Sequence, residues 1–274
     1  MFNTVVGFLM GIANLIPGVS AGTVALLGGV YDKLIHAISD FLSLKLSKGE
    51  LLFLIEIVVG IVVGLVGFSH LVETAIVKFP SVTYGVFTGL VIGGIPFVFS
   101  QTGNRRKSHW LNFFIGVFLV ILLSLPGEAT KEAGKNILEH SPAKLSYDIF
   151  AGMIGSSSMI LPGVSGAFIL LLLGEYHRAI AAINALDVYV ILTIGFGIIL
   201  GIALISKMLN MLLERKRTAT FMFLAGLMSG SIPDLLLRPA VFNFAQILMG
   251  ISAGIVFSLY FSRIGKKIGE TRTQ

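Results

Sequence analysis

Two apolar segments of this chain are interrupted at their middle by the same pair of residues. Ile16-Pro17-Gly18-Val19-Ser20-Ala21-Gly22 and Leu161-Pro162-Gly163-Val164-Ser165-Gly166-Ala167 each sit inside a run long enough to cross a bilayer. Proline removes a backbone donor and clashes with the preceding turn, and glycine weakens whatever helix surrounds it. Neither run can therefore cross as one continuous helix. In a bilayer, backbone that leaves the helix is tolerated only where protein or a polar cavity surrounds it. The two breaks demand a fold in which other helices enclose both.

Composition agrees with a membrane setting. Of 274 residues, 55% are hydrophobic and 12% charged, against about 25% charged in soluble domains. The 32 glycines and 8 prolines lie within apolar stretches, as in closely packed transmembrane helices. At about 20 apolar residues per crossing the chain has room for roughly six to nine spans, which predicts an all-α polytopic membrane protein. The absence of cysteine excludes disulfides, thiolate metal sites and cysteine nucleophiles. The net charge of +6 resides in short basic clusters between apolar runs. These read as orientation signals rather than a nucleic-acid surface. Met1-Phe2-Asn3-Thr4 lacks the basic region of a signal peptide, and the stretch after it is copied later, so it reads as mature structure.

The copying extends along the chain. At an offset of 145, Gly7 falls on Gly152, Pro17 on Pro162, Ser20 on Ser165, Gly29 on Gly174, Tyr31 on Tyr176 and Lys33 on Arg178. At an offset of 137, Gly60 falls on Gly197, Gly64 on Gly201, Thr83 on Thr220, Gly89 on Gly226, Gly93 on Gly230 and Pro96 on Pro233. This is a tandem duplication. The first repeat is expected over 1–130, with a re-entrant hairpin at about 5–35 and transmembrane helices at about 51–72, 82–100 and 110–126. The second is expected over 145–274, with a hairpin at about 148–180 and helices at about 188–213, 219–236 and 241–262. If each Pro-Gly segment is re-entrant, the halves have inverted topology. One side then carries Lys33, Lys45, Lys48, Arg105 to Lys107, Lys207, Arg215 to Arg217, Arg263, Lys266, Lys267 and Arg272, which is 14 of the 20 basic residues. The positive-inside rule makes that side, and both termini, cytoplasmic. A pair of short full spans gives the same parity.

Inverted hairpins would bring their tips together near the midplane, where secondary transporters bind substrate. After each Pro-Gly come Val-Ser and small residues, so a helix begins with free N–H groups and partial positive charge, a setting for phosphate. Gly18, Ser20, Gly22, Thr23, Gly163, Ser165 and Gly166 are the candidate anion cradle. The competing reading is a kink lined by small residues for close packing.

These residues resemble the bacterial polyprenyl-phosphate transporters (PopT, undecaprenyl-phosphate translocases). The resemblance is carried by Gly11-Ile-Ala-Asn-Leu-Ile-Pro-Gly-Val-Ser-Ala-Gly-Thr-Val-Ala-Leu-Leu-Gly-Gly-Val-Tyr-Asp-Lys33 and by Ile160-Leu-Pro-Gly-Val-Ser-Gly-Ala-Phe-Ile-Leu-Leu-Leu-Leu-Gly-Glu-Tyr176, and it covers essentially the whole chain. It departs at Ala21, where the family more often has glycine, and at His177, where an acidic residue is common. The resemblance implies a flippase of the bacterial cytoplasmic membrane. Such a protein returns undecaprenyl phosphate to the inner leaflet for peptidoglycan and teichoic-acid synthesis, with no enzyme activity and no cofactor. Lys33 and Arg178 are then candidates for steering phosphate at the two mouths; the plainer reading is that they snorkel. Its partners would be the lipid and the bilayer, not nucleic acid, with homo-oligomer formation left open.

Two rival classes follow from the same residues. Pro17 to Thr23 resembles a stripped version of the loop of undecaprenyl-diphosphate phosphatases, but Ala21 and Gly166 stand where an arginine would clamp the phosphoanhydride. Gly18-Val-Ser-Ala-Gly22 has the form of a nucleophile elbow but lacks a strand–turn–helix setting; Gly163-Val-Ser-Gly166 has that of intramembrane serine proteases, but no histidine follows His177 to serve as the later-helix base. A transporter of another anionic solute would share the helix-tip site but need a polar pore. Among groups in apolar context, Glu56 and Glu175 are candidate proton carriers. No metal-ligating constellation is evident.

Overall fold

The computed structural model describes residues 1–16, 19–103, 106–124, 138–239 and 241–272, with side chains described as far as Lys267. Every element among them is helical: α1 Phe2–Asn14, α2 Ala21–Leu27, α3 Tyr31–Leu42, α4 Lys48–Lys78, α5 Pro80–Ser100, α6 Lys107–Ser124, α7 Pro142–Ile160, α8 Gly166–Leu172, α9 Tyr176–Ala185, α10 Val188–Leu237 and α11 Phe244–Arg272. Local chemistry sets several starts. Ser47 and Glu50 form a capping box on α4, Pro80 opens α5, and the Asp187 carboxylate accepts from Val190 N–H at the head of α10.

Among the described residues, five helices (α4, α5, α6, α10, α11) are long and apolar enough to cross a membrane, or six counting α8 and α9, which meet at 102°, as one bent span. The expected separate helices at about 188–213 and 219–236 follow one another without a loop, as the two arms of α10. A straight helix of 50 residues would run about 75 Å, more than twice the hydrocarbon thickness. It is broken at Lys216 (φ −137°, ψ 43°). The equivalent residue, Phe79 between α4 and α5, has φ −132° and ψ 51°. At both corners a threonine reaches eight residues back, Thr83 to the Ala75 carbonyl at 3.0 Å and Thr220 to that of Leu212 at 3.1 Å.

The Pro-Gly segments also differ from a single break. Each is three helices, because a second turn follows at Gly29 (φ 65°) and Gly174 (φ 73°), both in the left-handed region that glycine occupies without strain. At 13 residues, α1 covers about 20 Å, too short to cross. After the first break the chain doubles back. Gly166 lies on Gly155, Tyr147 Oη donates to the Leu173 carbonyl at 3.0 Å, and Gly28 lies on Val6.

Glycines set the helix crossings, and the crossings repeat. A side chain at Gly60 or Gly64 would strike the Thr4 or Phe8 carbonyl of α1, and one at Gly197 or Gly201 would strike Ile149 or Met153 of α7, the equivalent positions. Close backbone approach is the main source of helix association where no water drives burial. The remaining pairs cross between halves. Gly89 and Gly254 join α5 to α11, while Gly226 and Gly116 join the second arm of α10 to α6. The last helix of each half thus packs on the other half. Phe2 lies against Phe261, with ring centroids 6.4 Å apart, so the chain begins and its last helix runs at one end of the bundle.

Candidate functional site

The two Pro-Gly breaks meet. Ser20, 1% exposed, caps α2 by accepting from Gly22 N–H at 3.1 Å. Its hydroxyl lies 3.0 Å from the Met159 carbonyl and 2.9 Å from that of Leu161, at the end of α7. Tyr31 Oη donates to the Ile160 carbonyl between them at 3.3 Å. In return Gly163 N–H (φ 80°) donates to Thr23 Oγ1 at 3.2 Å, and Gly22 presses on the Ile160 carbonyl with no room for a side chain. The last carbonyls of a helix have no partners within it. Here hydroxyls from the other half of the chain supply them.

The expectation of free N–H groups needs correction for the first tip. Ala21 N–H donates to Asn14 Oδ1 at 3.3 Å, Gly22 N–H to Ser20 Oγ, and Thr23 N–H to the Ser20 carbonyl at 3.0 Å. At the second tip Ser165 Oγ accepts from Phe168 N–H at 3.4 Å, while the Gly166 and Ala167 N–H groups have no hydrogen bond among the described residues. The seam therefore joins Ser20, Gly22, Thr23 and Gly163. Ser165 and Gly166 make their contacts within their own half, Gly166 against Met159 and Gly155. Gly18, with Pro17, lies outside the described residues. Neither Ser20 nor Ser165 hydrogen-bonds a histidine among the described residues.

Lys33 and Arg178 are not at the seam, and their surroundings differ. Lys33 is exposed, with Nζ 4.5 Å from the centre of the Phe53 ring. Arg178 is buried, its Nε and Nη2 on the two Asp148 oxygens at 2.7 and 2.8 Å and Nη2 also on the Glu139 carbonyl at 2.7 Å. Glu175, also buried, pairs with Lys144 and lies 3.5 Å from Arg178 Nε. Arg178 is thus committed to carboxylates that have no counterpart in the first half, where the equivalent residues are Asn3 and Val30. There the acid sits on the facing helix instead, as Glu56 bonded to Asn3, while Thr193 stands across from Asp148.

Beside the seam is a cavity of about 570 Å³. Asn14, Tyr31 and Ser156 are the polar side chains in its lining, which also includes Ala21 and Gly22; the rest of the wall is apolar side chains of α1, α3, α4, α7 and α10. Leu51, Ile55 and Val58 belong to both this wall and the exposed face of α4, so the cavity reaches the surface. A model of the undecaprenyl phosphate translocase-like proteins matches residues 10–253. The chain belongs to the undecaprenyl phosphate translocase-like family.

Two relatives carry the same kind of name. The polyprenyl-phosphate transporter of Staphylococcus aureus is 32% identical over 239 residues, 84% of each chain. That of Vibrio cholerae is 30% identical over 241 residues, 84% of this chain and 75% of its own. No solved structure matches. The resemblance read from the motifs is borne out, and the family and relatives are named as transporters. In this translocase-like chain, Asn14 and Tyr31 hydrogen-bond at the tips and line the cavity, and the motif reading did not single them out as candidates. The signals were present: Asn14 is a lone amide in an apolar run three residues before Pro17, and Tyr31 recurs as Tyr176. The tertiary structure also gathers His36, Asp40 and Glu50, with ligand atoms within 4.8 Å, at a partly exposed position. Glu50 Oε2 there is already bound by Ser47 N–H and Oγ–H.

Proposed function

We propose that this protein carries a polyprenyl phosphate, as undecaprenyl phosphate, from the outer to the cytoplasmic leaflet, returning the carrier lipid for peptidoglycan and teichoic-acid synthesis. The observation that carries the reading is the polar seam beside an aliphatic cavity that reaches the surface. A lipid phosphate needs both, an anion site within the protein and an apolar route for its tail. Family membership and the transporters named among its relatives give the substrate class.

In this reading the seam is the closed state. Ser20 and the Gly163 N–H, now bound across the seam, turn to phosphate oxygens when the tips part, and Gly166 and Ala167 N–H groups add to the cradle. The donors are then satisfied in both states. The halves are inverted repeats over 1–130 and 145–274, each with a re-entrant hairpin, and both termini are cytoplasmic. Recurrence of the same glycine contacts, corners and left-handed turns supports the repeats. Lys33 draws phosphate toward its mouth, whereas Arg178 holds α9 to α7. A serine nucleophile has no support, because the Ser20 hydroxyl is bound to carbonyls rather than to a base.

Reconstituted vesicles test the reading. Purified protein is expected to speed the movement of a polyprenyl phosphate between leaflets, and Ser20→Leu with Ser165→Leu to reduce that rate at least tenfold while the protein stays folded. Release of phosphate from the diphosphate without lipid movement would favour the phosphatase class instead.

A further inference from the structure

A second cavity, of about 360 Å³, lies on the far side of Tyr31. Tyr31 lines both cavities. Unlike the aliphatic cavity this one is charged, holding Asp32, Gln101, Arg217 and Lys266. Four distant parts of the chain build it. Asp32 is in the first turn of α3, Gln101 ends α5, Arg217 follows the Lys216 break in α10, and Lys266 is near the end of α11. Gly29 and Gly265 let α11 close directly onto the α2–α3 turn.

We propose that this pocket binds a phosphate monoester, the headgroup of the carried lipid, at the cytoplasmic mouth, and that Asp32 occupies the pocket when phosphate is absent. The inference rests on the lipid-phosphate reading above. Arg217 and Lys266 bring two positive charges against one carboxylate. The Asp32 Oδ2 to Arg217 Nη1 distance is 2.6 Å, but the two side chains are 43% and 45% exposed, and exposed pairs contribute little stability. Asp32 Oδ1 is buried with no hydrogen-bond partner. The carboxylate is therefore a poorly satisfied occupant that a dianion displaces at small cost. Arg217 is held for the exchange by the Phe221 ring, 4.8 Å away. Its fork then meets two phosphate oxygens, which one carboxylate oxygen does not match.

The pocket is one-sided. The positions equivalent to Asp32, Gln101 and Arg217 carry His177, Arg238 and Pro80. A side chain at Gly174, the equivalent of Gly29, would meet nothing among the described residues. A headgroup site on one mouth alone lets the molecule favour release at one leaflet.

Titration calorimetry of the full-length protein in detergent, with farnesyl phosphate, farnesol and inorganic phosphate, tests the site. The wild type is expected to bind farnesyl phosphate more tightly than farnesol. Arg217→Gln with Lys266→Gln should weaken farnesyl phosphate about tenfold or more and leave farnesol unchanged, since charge-assisted hydrogen bonds are lost. Lys45→Gln with Lys48→Gln, which removes equal charge outside the pocket, should stay within about twofold. Asp32→Asn should bind farnesyl phosphate several-fold more tightly, a gain that a purely structural ion pair does not produce. Competition by inorganic phosphate in the wild type would show that the site takes the free anion as well as the headgroup; lack of competition would assign it to the lipid alone. Wild-type affinity in the Arg217, Lys266 variant, or weaker binding by Asp32→Asn, overturns the pocket and leaves the lipid reading standing. A wild type that does not prefer farnesyl phosphate to farnesol overturns both.

Discussion

Equivalent residues of the two halves have diverged in what they do, and Lys33 and Arg178 show it most clearly. Both follow a Gly-x-Tyr, and sequence alone assigns them one role. The structure gives Arg178 two carboxylates and near-complete burial, and gives Lys33 an aromatic ring and solvent. Removing one partner of a buried pair leaves an uncompensated charge, which costs about 3–5 kcal/mol. Asp148→Ala should lower stability by that order, and Lys33→Ala by less than about 1 kcal/mol; thermal unfolding in detergent measures both. Equal effects would mean that the buried cluster does not hold α9. The pairing was hidden in sequence because Asp148 and Arg178 lie 30 residues apart on different helices. The trace it left is a swap: Asn3 facing Glu56 in one half, Asp148 facing Thr193 in the other.

At the scale of elements, the long apolar helices and both Pro-Gly breaks are legible as hydrophobic runs and their interruptions. The corner at Lys216 is legible as a break between two spans, but its form is not. Arg215-Lys216-Arg217 reads as a polar loop between two spans, yet only Lys216 leaves the helix. Thr220 Oγ1 lies 3.1 Å from both the Leu212 and the Lys216 carbonyls, so the groups exposed by the bend stay bonded without a loop. Thr83 does the same for Ala75 at the other corner. Thr220→Val keeps the shape and removes the bond, so it should cost about 1 kcal/mol. Faster amide exchange around residues 212–220 in the variant is the readout. No change there would mean that packing alone holds the corner. The second turn of each Pro-Gly segment was readable only in part: Gly29 and Gly174 align at the offset of 145, but glycine in register does not by itself say that φ is positive.

For the whole molecule, the decisive feature is that α6 and α11 are exchanged between halves. Without α11, the face of α5 marked by Gly85, Gly89 and Gly93 has no helix to approach. Residues 1–130 and 145–274 produced separately should each aggregate or be degraded, and should copurify as a stable complex when produced together. Halves that are monodisperse alone would show that the exchange is dispensable. By itself the sequence determined the bilayer as solvent, the residue pattern that recurs at offsets of 145 and 137, the two points where helices must break and, through its motifs, the family. Those features are local or periodic, and each is written within one stretch of chain. Only the tertiary structure decided which surfaces meet. A glycine face states that another backbone comes close but not whose, and equivalent faces in a duplicated chain suit a partner from either half. The choice is made by the packing of all the helices at once, and that packing brings Ser20 onto the end of α7 and places Asp32, Arg217 and Lys266 around one pocket.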